Sequence, residues 1–525
     1  QYRITMALYR DCAGVAAPST VTINAKSASC AQDYNIVLNR VAGTGIEVSP
    51  ICPSLQTVCT GGTYPGVQEF IYSGITTLPA QCADWVFSNN IAARNNAIST
   101  ILDPANQNLY IESQLDNLNY PCNNSPSFTN KPVPFICVGE PFCFNNGALD
   151  ADGDSLYYAL VTPLKGPGTP VTYIAPYSAT QPLLSTPPVS FNPKTGDICM
   201  TPSQLEVTVF SIIVKEYRNG QLIGSIVRDI QLRTVTCSNN NPILTGINGT
   251  GSFTIHGCVG TPITFNIPSS DADASQSLTL QWNSGIAGGT FNPGSGTRPT
   301  GVFSWTPTLA DLSNVSNCFT VRVVDDNCPF NGSQTYSFCI TLSVVNATIT
   351  KKDANCTSSN GSATVVAADG TPPYTYSWAP SGGTGATTTG IPAGTYTCTI
   401  TDAKGCTKQV STTVNSIPGG TASISSFSNV GCNGATDGSI TVSVSGGATP
   451  PFTYTWTPNV GTTATVTNLP VGTYTVTVKD AFGCTSTVSQ AITQPTVLNV
   501  APSNTNVSCF NGSNGTATAT VTGGT

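Results

Sequence analysis

Gly394-Thr-Tyr396-Thr-Cys398-Thr-Ile400-Thr-Asp402-Ala-Lys-Gly-Cys406 decides the fold class, and the chain repeats it. The second copy, Gly472-Thr-Tyr474-Thr-Val476-Thr-Val478-Lys-Asp480-Ala-Phe-Gly-Cys484, lies 78 residues downstream, Cys484 against Cys406. Apolar side chains at every second position, with Thr between them, describe a strand buried on one face and wet on the other. Asp-Ala-x-Gly-Cys then reads as a turn that leads into a further strand. Just upstream, Tyr374, Tyr376 and Trp378 in one copy and Phe452, Tyr454 and Trp456 in the other fall at i, i+2, i+4. Each trio therefore shares one sheet face. Such a strip is either the core of the module or an exposed platform for carbohydrate. The scarcity of large apolar residues argues for core.

The rest of the chain has the same character. Its 525 residues are too many for one core. Only 9% are charged, against roughly 25% in an ordinary soluble protein. Polarity comes from Thr, Ser, Asn and 49 Gly, with 38 Pro as punctuation. Thr and Val favour strands, while Gly, Pro and Asn make turns. The net charge of −7 is small for this length and no basic cluster occurs, so neither nucleic acid nor an anionic membrane is expected as a partner. Apolar runs such as Val207 to Val214 have strand length, and no membrane span is expected. Gln1 opens directly on the strand-like run from Tyr2 to Tyr9, as if an export signal and more chain lay upstream.

Twenty Cys beside one His argue against zinc. Scattered cysteines in a strand-rich chain imply disulfides and an oxidising, extracytoplasmic location. Cys52 with Cys59 can close a small loop, and Cys12 with Cys30 a larger one. Each repeat opens with a further cysteine, Cys356 or Cys432, which predicts Cys356–Cys406 and Cys432–Cys484 bridges. Closing loops of that length would add about 3–4 kcal/mol to a modest core. Cys398 stands where the other copy has Val476 and reads as a buried free thiol or an oddity of that copy. A third opening, Val507-Ser-Cys509-Phe-Asn-Gly-Ser-Asn-Gly515, precedes Thr525 without its aromatic strand or closing Gly-Cys. The chain is thus expected to continue, with the partner of Cys509 further on.

The ordered landmarks Cys-x-Gly, Gly-Gly, Pro-Pro-Tyr/Phe-x-Tyr-x-Trp, Gly-Thr-Tyr and Asp-Ala-x-Gly-Cys resemble the SprB repeat of the gliding-motility adhesins of Bacteroidota. The resemblance covers about residues 347 to 525. It departs from the pattern at Cys398 and at Ala367-Ala-Asp-Gly370, where the second copy has Gly446-Gly447. It implies export by the type IX secretion system, transport by a gliding motor, and a grip on an extracellular surface or polysaccharide.

Residues 130–237 and 238–346 share their own landmarks. An acidic turn, Asp150-Ala-Asp152-Gly-Asp154-Ser-Leu156 or Asp271-Ala-Asp273-Ala-Ser-Gln-Ser-Leu278, comes first. Phe191-Asn-Pro193 or Phe291-Asn-Pro293 follows, then Met200-Thr-Pro202 or Trp305-Thr-Pro307, and a strand ending at Glu216 or Asp325. This order is similar to tandem cadherin-like or PKD-like sandwich modules. Residues 1–129 are less regular. Tyr9-Arg-Asp-Cys12 and Gly66-Val-Gln-Glu-Phe70-Ile-Tyr-Ser-Gly74 resemble segments of Bacteroidota surface proteins, and a β-rich, disulfide-bonded domain with a short helix near Asn106 to Asp116 is expected.

Three carboxylates within five residues repel one another unless a cation or solvent screens them, and Ca²⁺ prefers oxygen ligands. The spacing is not that of an EF-hand. Asp150, Asp152 and Asp154, with Glu216 and Glu140 as helpers, are therefore candidate Ca²⁺ ligands, the alternative being an exposed, solvated turn. Asp271 and Asp273, with Asp325 or Asp326, form a weaker candidate that lacks the third Asp. The cadherin-like resemblance likewise implies calcium at the first turn. Asp154-Ser155-Leu156 also resembles the O-glycosylation sequon of Bacteroidota. A lone His256 gives no His-pair site and weakens a Ser-His-Asp reading, and no opposed carboxylates suit a glycosidase, so no enzyme is expected.

The sequence thus predicts an all-β, elongated tandem array of small disulfide-stapled β-sandwich (Ig-like) modules at the cell surface. The divisions are 1–129, 130–237, 238–346, 347–421, 422–499 and a truncated repeat at 500–525. Five modules in line, each with strands of ~8 residues at ~3.3 Å per residue, would project well over ~130 Å. The expected role is a surface adhesin or filament for attachment during gliding. The rivals are a non-catalytic spacer of a polysaccharide-acting enzyme and a purely structural filament.

Overall fold

Strands dominate the protein, whose computed structural model describes residues 1–52, 54–313, 317–356 and 358–525. The chain is all-β: the helical pieces among the described residues are 3-10 turns such as Pro104–Asn106. It divides into two compact units, Gln1–Ser343 and Val344–Thr525.

In the first unit, one sheet runs through Tyr2–Asp11, Val67–Thr76, Gln32–Arg40, Thr20–Ser27, Trp85–Ile91, Leu109–Leu115, Gln221–Val235, Val207–Arg218 and Ser155–Val161 in that order. Leu109–Leu115 occupies the place where a short helix was expected. Its Leu115 is buried with Trp85, and the strand pairs with Trp85–Ile91 on one side and Gln221–Val235 on the other. Alternating Tyr110, Glu112 and Gln114 with Ile111 and Leu115 suits a strand held between two neighbours. Position 129/130 therefore falls inside one hydrogen-bonded sheet. Buried Arg94 and Asp229 join the two stretches as well, at 2.8 Å.

Residues 243–343 form a two-layer sandwich. One sheet is ordered Ile243–Leu244, Ile263–Ser270, Thr300–Trp305, Thr290–Asn292; the other Thr254–Cys258, Ser333–Ser343, Asn317–Val324, Thr279–Trp282. Period-two alternation points Ile263, Phe265 and Ile267 inward, where they meet Phe303, Phe319 and Phe338. The Phe303 and Phe319 rings stack at 4.3 Å.

In the second unit each full repeat is a smaller sandwich of two three-stranded sheets. The first pairs Asn346–Lys352, Gly361–Ala368 and Thr387–Ile391 in one layer and Thr375–Ala379, Gly394–Thr401 and Thr407–Val414 in the other. Thr421–Ser428, Gly438–Ser445, Thr465–Leu469, Thr453–Thr457, Gly472–Lys479 and Thr485–Ile492 repeat the plan. The third opening forms a hairpin of Asn499–Thr505 with Thr516–Thr522.

The cysteine pairing departs from the expected one. Cys12 bonds Cys59 rather than Cys30, because Asp11 pairs with Val67 and brings Cys12 beside Gly66. Gly66 lies so close to Cys59 Sγ that a Cβ there would come within 2.5 Å. Cys30 bonds Cys82, and Cys52 bonds Cys328 rather than Cys59. Cys356 bonds Cys484, 128 residues on, rather than Cys406. The cause is the linker after the first repeat: Ser416–Ile417 pairs in parallel with Ala354–Asn355, and Cys356 N donates to Ile417 O at 3.0 Å. Gly419 then passes Cys484 at a distance only glycine tolerates, 2.7 Å from the Cys484 Cβ to where a Cβ would stand. Cys406 is disulfide-bonded too, while Cys432 is exposed and free of a disulfide.

Candidate metal centre

The turn from Asp150 to Asp154 joins Ala148–Leu149 to Ser155–Val161. Asp150 Oδ1 accepts from the backbone N–H groups of Asp152 and Asp154 at 2.9 and 3.0 Å, and Gly153 provides the left-handed residue at φ 82°. Glu216 comes from Val207–Arg218, opposite Leu156 on one side and Gly224 on the other. Ligand oxygens of Asp150, Asp154 and Glu216 all lie within 4.8 Å of one another. Asp152 turns the other way and is held by Asn124, whose N and Nδ2 donate at 2.7 and 2.9 Å.

Arg218 closes the outer side. Its Nε and Nη2 donate to Asp154 at 2.7 and 2.5 Å, and Nη2 also reaches Asn123 Oδ1 at 2.8 Å and Asp152 at 3.4 Å. Of the four carboxylates, the guanidinium thus binds two, Asp154 and Asp152. Burial, reinforced by the charges of Asp150 and Asp154, pushes the Glu216 carboxyl up to about 8. Burial also raises Asp150. At Asp152 burial works against the charge, but the donors of Asn124 and Arg218 outweigh it and lower the pKa. Glu140 is not in this group; its carboxylate accepts from Asn241 N at 3.4 Å.

The second acidic turn copies the first. Asp271 Oδ1 accepts from Asp273 N at 2.8 Å. Asn240 N and Nδ2 bind Asp273 at 2.9 and 3.2 Å, as Asn124 binds Asp152. Asp325 stands where Glu216 does, buried and facing Gly332, whose N–H donates to it at 2.7 Å. Asn327 N at 3.0 Å and Asn239 Nδ2 at 2.8 Å complete its set. Asp326 Oδ1 accepts from Ser277 N at 2.9 Å. Reading the sequence missed the Asn123-Asn124 and Asn239-Asn240 pairs. Their signal was an Asn-Asn step ahead of each acidic turn, with the first pair on the far side of the 129/130 division.

The repeats have their own geometry. Asp402 Oδ1 accepts from Lys404 N and Cys406 N at 2.9 and 2.8 Å, and Asp480 Oδ1 from Phe482 N and Cys484 N at 3.0 and 2.9 Å. Trp378 Nε1 donates to Gly385 O, and Trp456 Nε1 to Thr463 O, at 2.9 and 3.0 Å. The SprB repeat model matches residues 348–385, 424–461 and 502–525. The chain carries SprB repeats. They are the repeats of a surface, adhesin-type protein. Among the described residues no helix is long and apolar enough to cross a membrane.

Within the SprB repeats the aromatic strip is core at its inner end: Trp378 and Trp456 are each 3% exposed. Tyr374, Tyr376, Phe452 and Tyr454 are half-buried. Cys398 is a buried thiol without a disulfide, opposite Trp378 as Val476 is opposite Trp456. His256 sits on Thr254–Cys258, its ring nitrogens 3.3 and 3.1 Å from the hydroxyls of Thr341 and Ser343. No curated protein matches the chain. Among solved structures it is similar to the N-terminal eight Ig domains of Down Syndrome Cell Adhesion Molecule, at 11% identity over 93% of this chain and 70% of that one, TM-score 0.27. A titin fragment matches at 11% identity over 55% of this chain and 99% of that one, TM-score 0.21.

Proposed function

We propose that this protein is a gliding-motility adhesin, exported by the type IX secretion system and displayed at the cell surface. There it grips an extracellular surface or polysaccharide while a motor carries it. The run of SprB repeats carries the reading. The repeats also suit a wet exterior. Val344–Thr525 contains five Lys, five Asp, no Arg and no Glu. The outward faces of its sheets are rows of hydroxyls, such as Thr397 with Ser411 and Thr475 with Ser489, each pair at 2.8 Å. Such faces stay hydrated and offer hydrogen bonds to a sugar polymer without long-range charge. The test is deletion of the gene in the native bacterium. Loss of movement over glass or agar with secretion intact is the expected result; unimpaired movement overturns the reading.

A further inference from the structure

The deepest carboxylate beside the first acidic turn forms no hydrogen bond, although the Asn123 side chain lies near it with its own Nδ2 unpartnered. Glu216 is fully buried, and neither of its oxygens has a hydrogen-bond partner. Asp150 Oδ2 is a third buried oxygen in the same state. The nearby cation does not reach them, because Arg218 is committed to Asp154, Asp152 and Asn123. An ionised carboxylate taken out of water needs a counter-charge or donors. Two oxygens that share a cation at about 2.4 Å lie at most about 4.8 Å apart, which is the span found for Asp150, Asp154 and Glu216. The donors are all oxygen, which favours Ca²⁺ over the softer, nitrogen- and sulfur-seeking metals.

The second turn is the internal control. It has the same backbone, the same Asn pair and the same glycine facing the acid, yet Asp325 is served by three donors, Asn239 Nδ2, Asn327 N and Gly332 N. Shortening Glu to Asp lets the backbone of the following loop reach the carboxylate. Opposite Glu216, Gly224 lies 2.8 Å from Oε2 to where a Cβ would stand, so the longer side chain fits but finds no N–H there.

We infer that Asp150, Asp154 and Glu216 bind one Ca²⁺, while the matching turn binds none: Asp271 Oδ2 is unpartnered as Asp150 Oδ2 is, but Asp325 already has donors where Glu216 has none. Isothermal titration of the intact, EDTA-stripped chain with calcium chloride reads the stoichiometry. One ion per chain is expected, with the unfolding midpoint rising as calcium is added. Glu216→Gln and Asp150→Asn should each abolish both the heat and the midpoint shift, whereas Asp271→Asn should leave both. Glu216→Gln keeps the shape of the buried side chain, and circular dichroism verifies its fold. No bound ion, two bound ions, or binding that survives in both Glu216→Gln and Asp150→Asn overturns the assignment.

Discussion

Arg94 and Asp229 show how a single pair can weld distant stretches of this chain. Their side chains are 1% and 4% exposed. The guanidinium donates twice, Nη1 to Oδ1 at 2.9 Å and Nη2 to Oδ2 at 2.8 Å, with a further bond from Nη2 to Leu164 O at 3.0 Å. Removing one partner leaves the other charged and buried, so Arg94→Met should cost about 3–5 kcal/mol in denaturant unfolding. The double change Arg94→Met with Asp229→Leu should recover much of that loss. Equal losses in the single and double variants would show that the charge pairing is not what holds Arg94. Nothing in the local sequence marked this pair. The acids of the two turns were legible because they sit within a few residues of one another. Glu216 could be named because it ends an alternating strand, but its lack of donors is a property of the packed sheet.

At the scale of the element, period-two alternation carried most of the reading. It placed Tyr396, Cys398 and Ile400 inside and the intervening Thr outside, as found. It put the aromatic strip on one face, and the scarcity of other large apolar side chains argued for core, which holds for Trp378 and Trp456. Trp456→Ala should destabilise its repeat by about 3–5 kcal/mol. Thr475→Val on the outer face of the same sandwich should change stability by less than about 0.5 kcal/mol. Thermal unfolding of both variants checks the contrast; similar shifts would mean that the tryptophan is not core. The expected helix near Asn106 failed because Tyr110 and Ile111 favour a strand, and the segment pairs with a strand on each side.

At the scale of the molecule, Cys356–Cys484 changes how the second unit carries load. Force entering at Val344 and leaving at Thr525 crosses from Cys356 directly to Cys484, so most of both SprB repeats lies off the loaded path. A bridge inside each repeat would have protected each bead separately. This one makes the pair share a staple, which suits a tether that must not lengthen under pull. With pulling handles at Val344 and Thr525 of the intact chain, reductant should release the stretch between the cysteines, a sequence separation of 128, roughly 420–460 Å at about 3.3–3.6 Å per residue. Equal extension with and without reductant would show that the staple bears no load.

Alternation, turn chemistry and the 78-residue repeat are written along the chain, so the sequence by itself determined the all-β class, the SprB repeats and the two acidic turns. Each depends on residues a few positions apart, whose preferences survive without knowledge of the rest. Tertiary structure alone decided which cysteines meet, that one sheet continues past residue 129, and that Asp325 is served by amide donors while Glu216 is not. Those outcomes depend on which distant strands lie side by side, and a difference of one methylene, Glu216 against Asp325, acquires meaning only once the backbone facing it is in place.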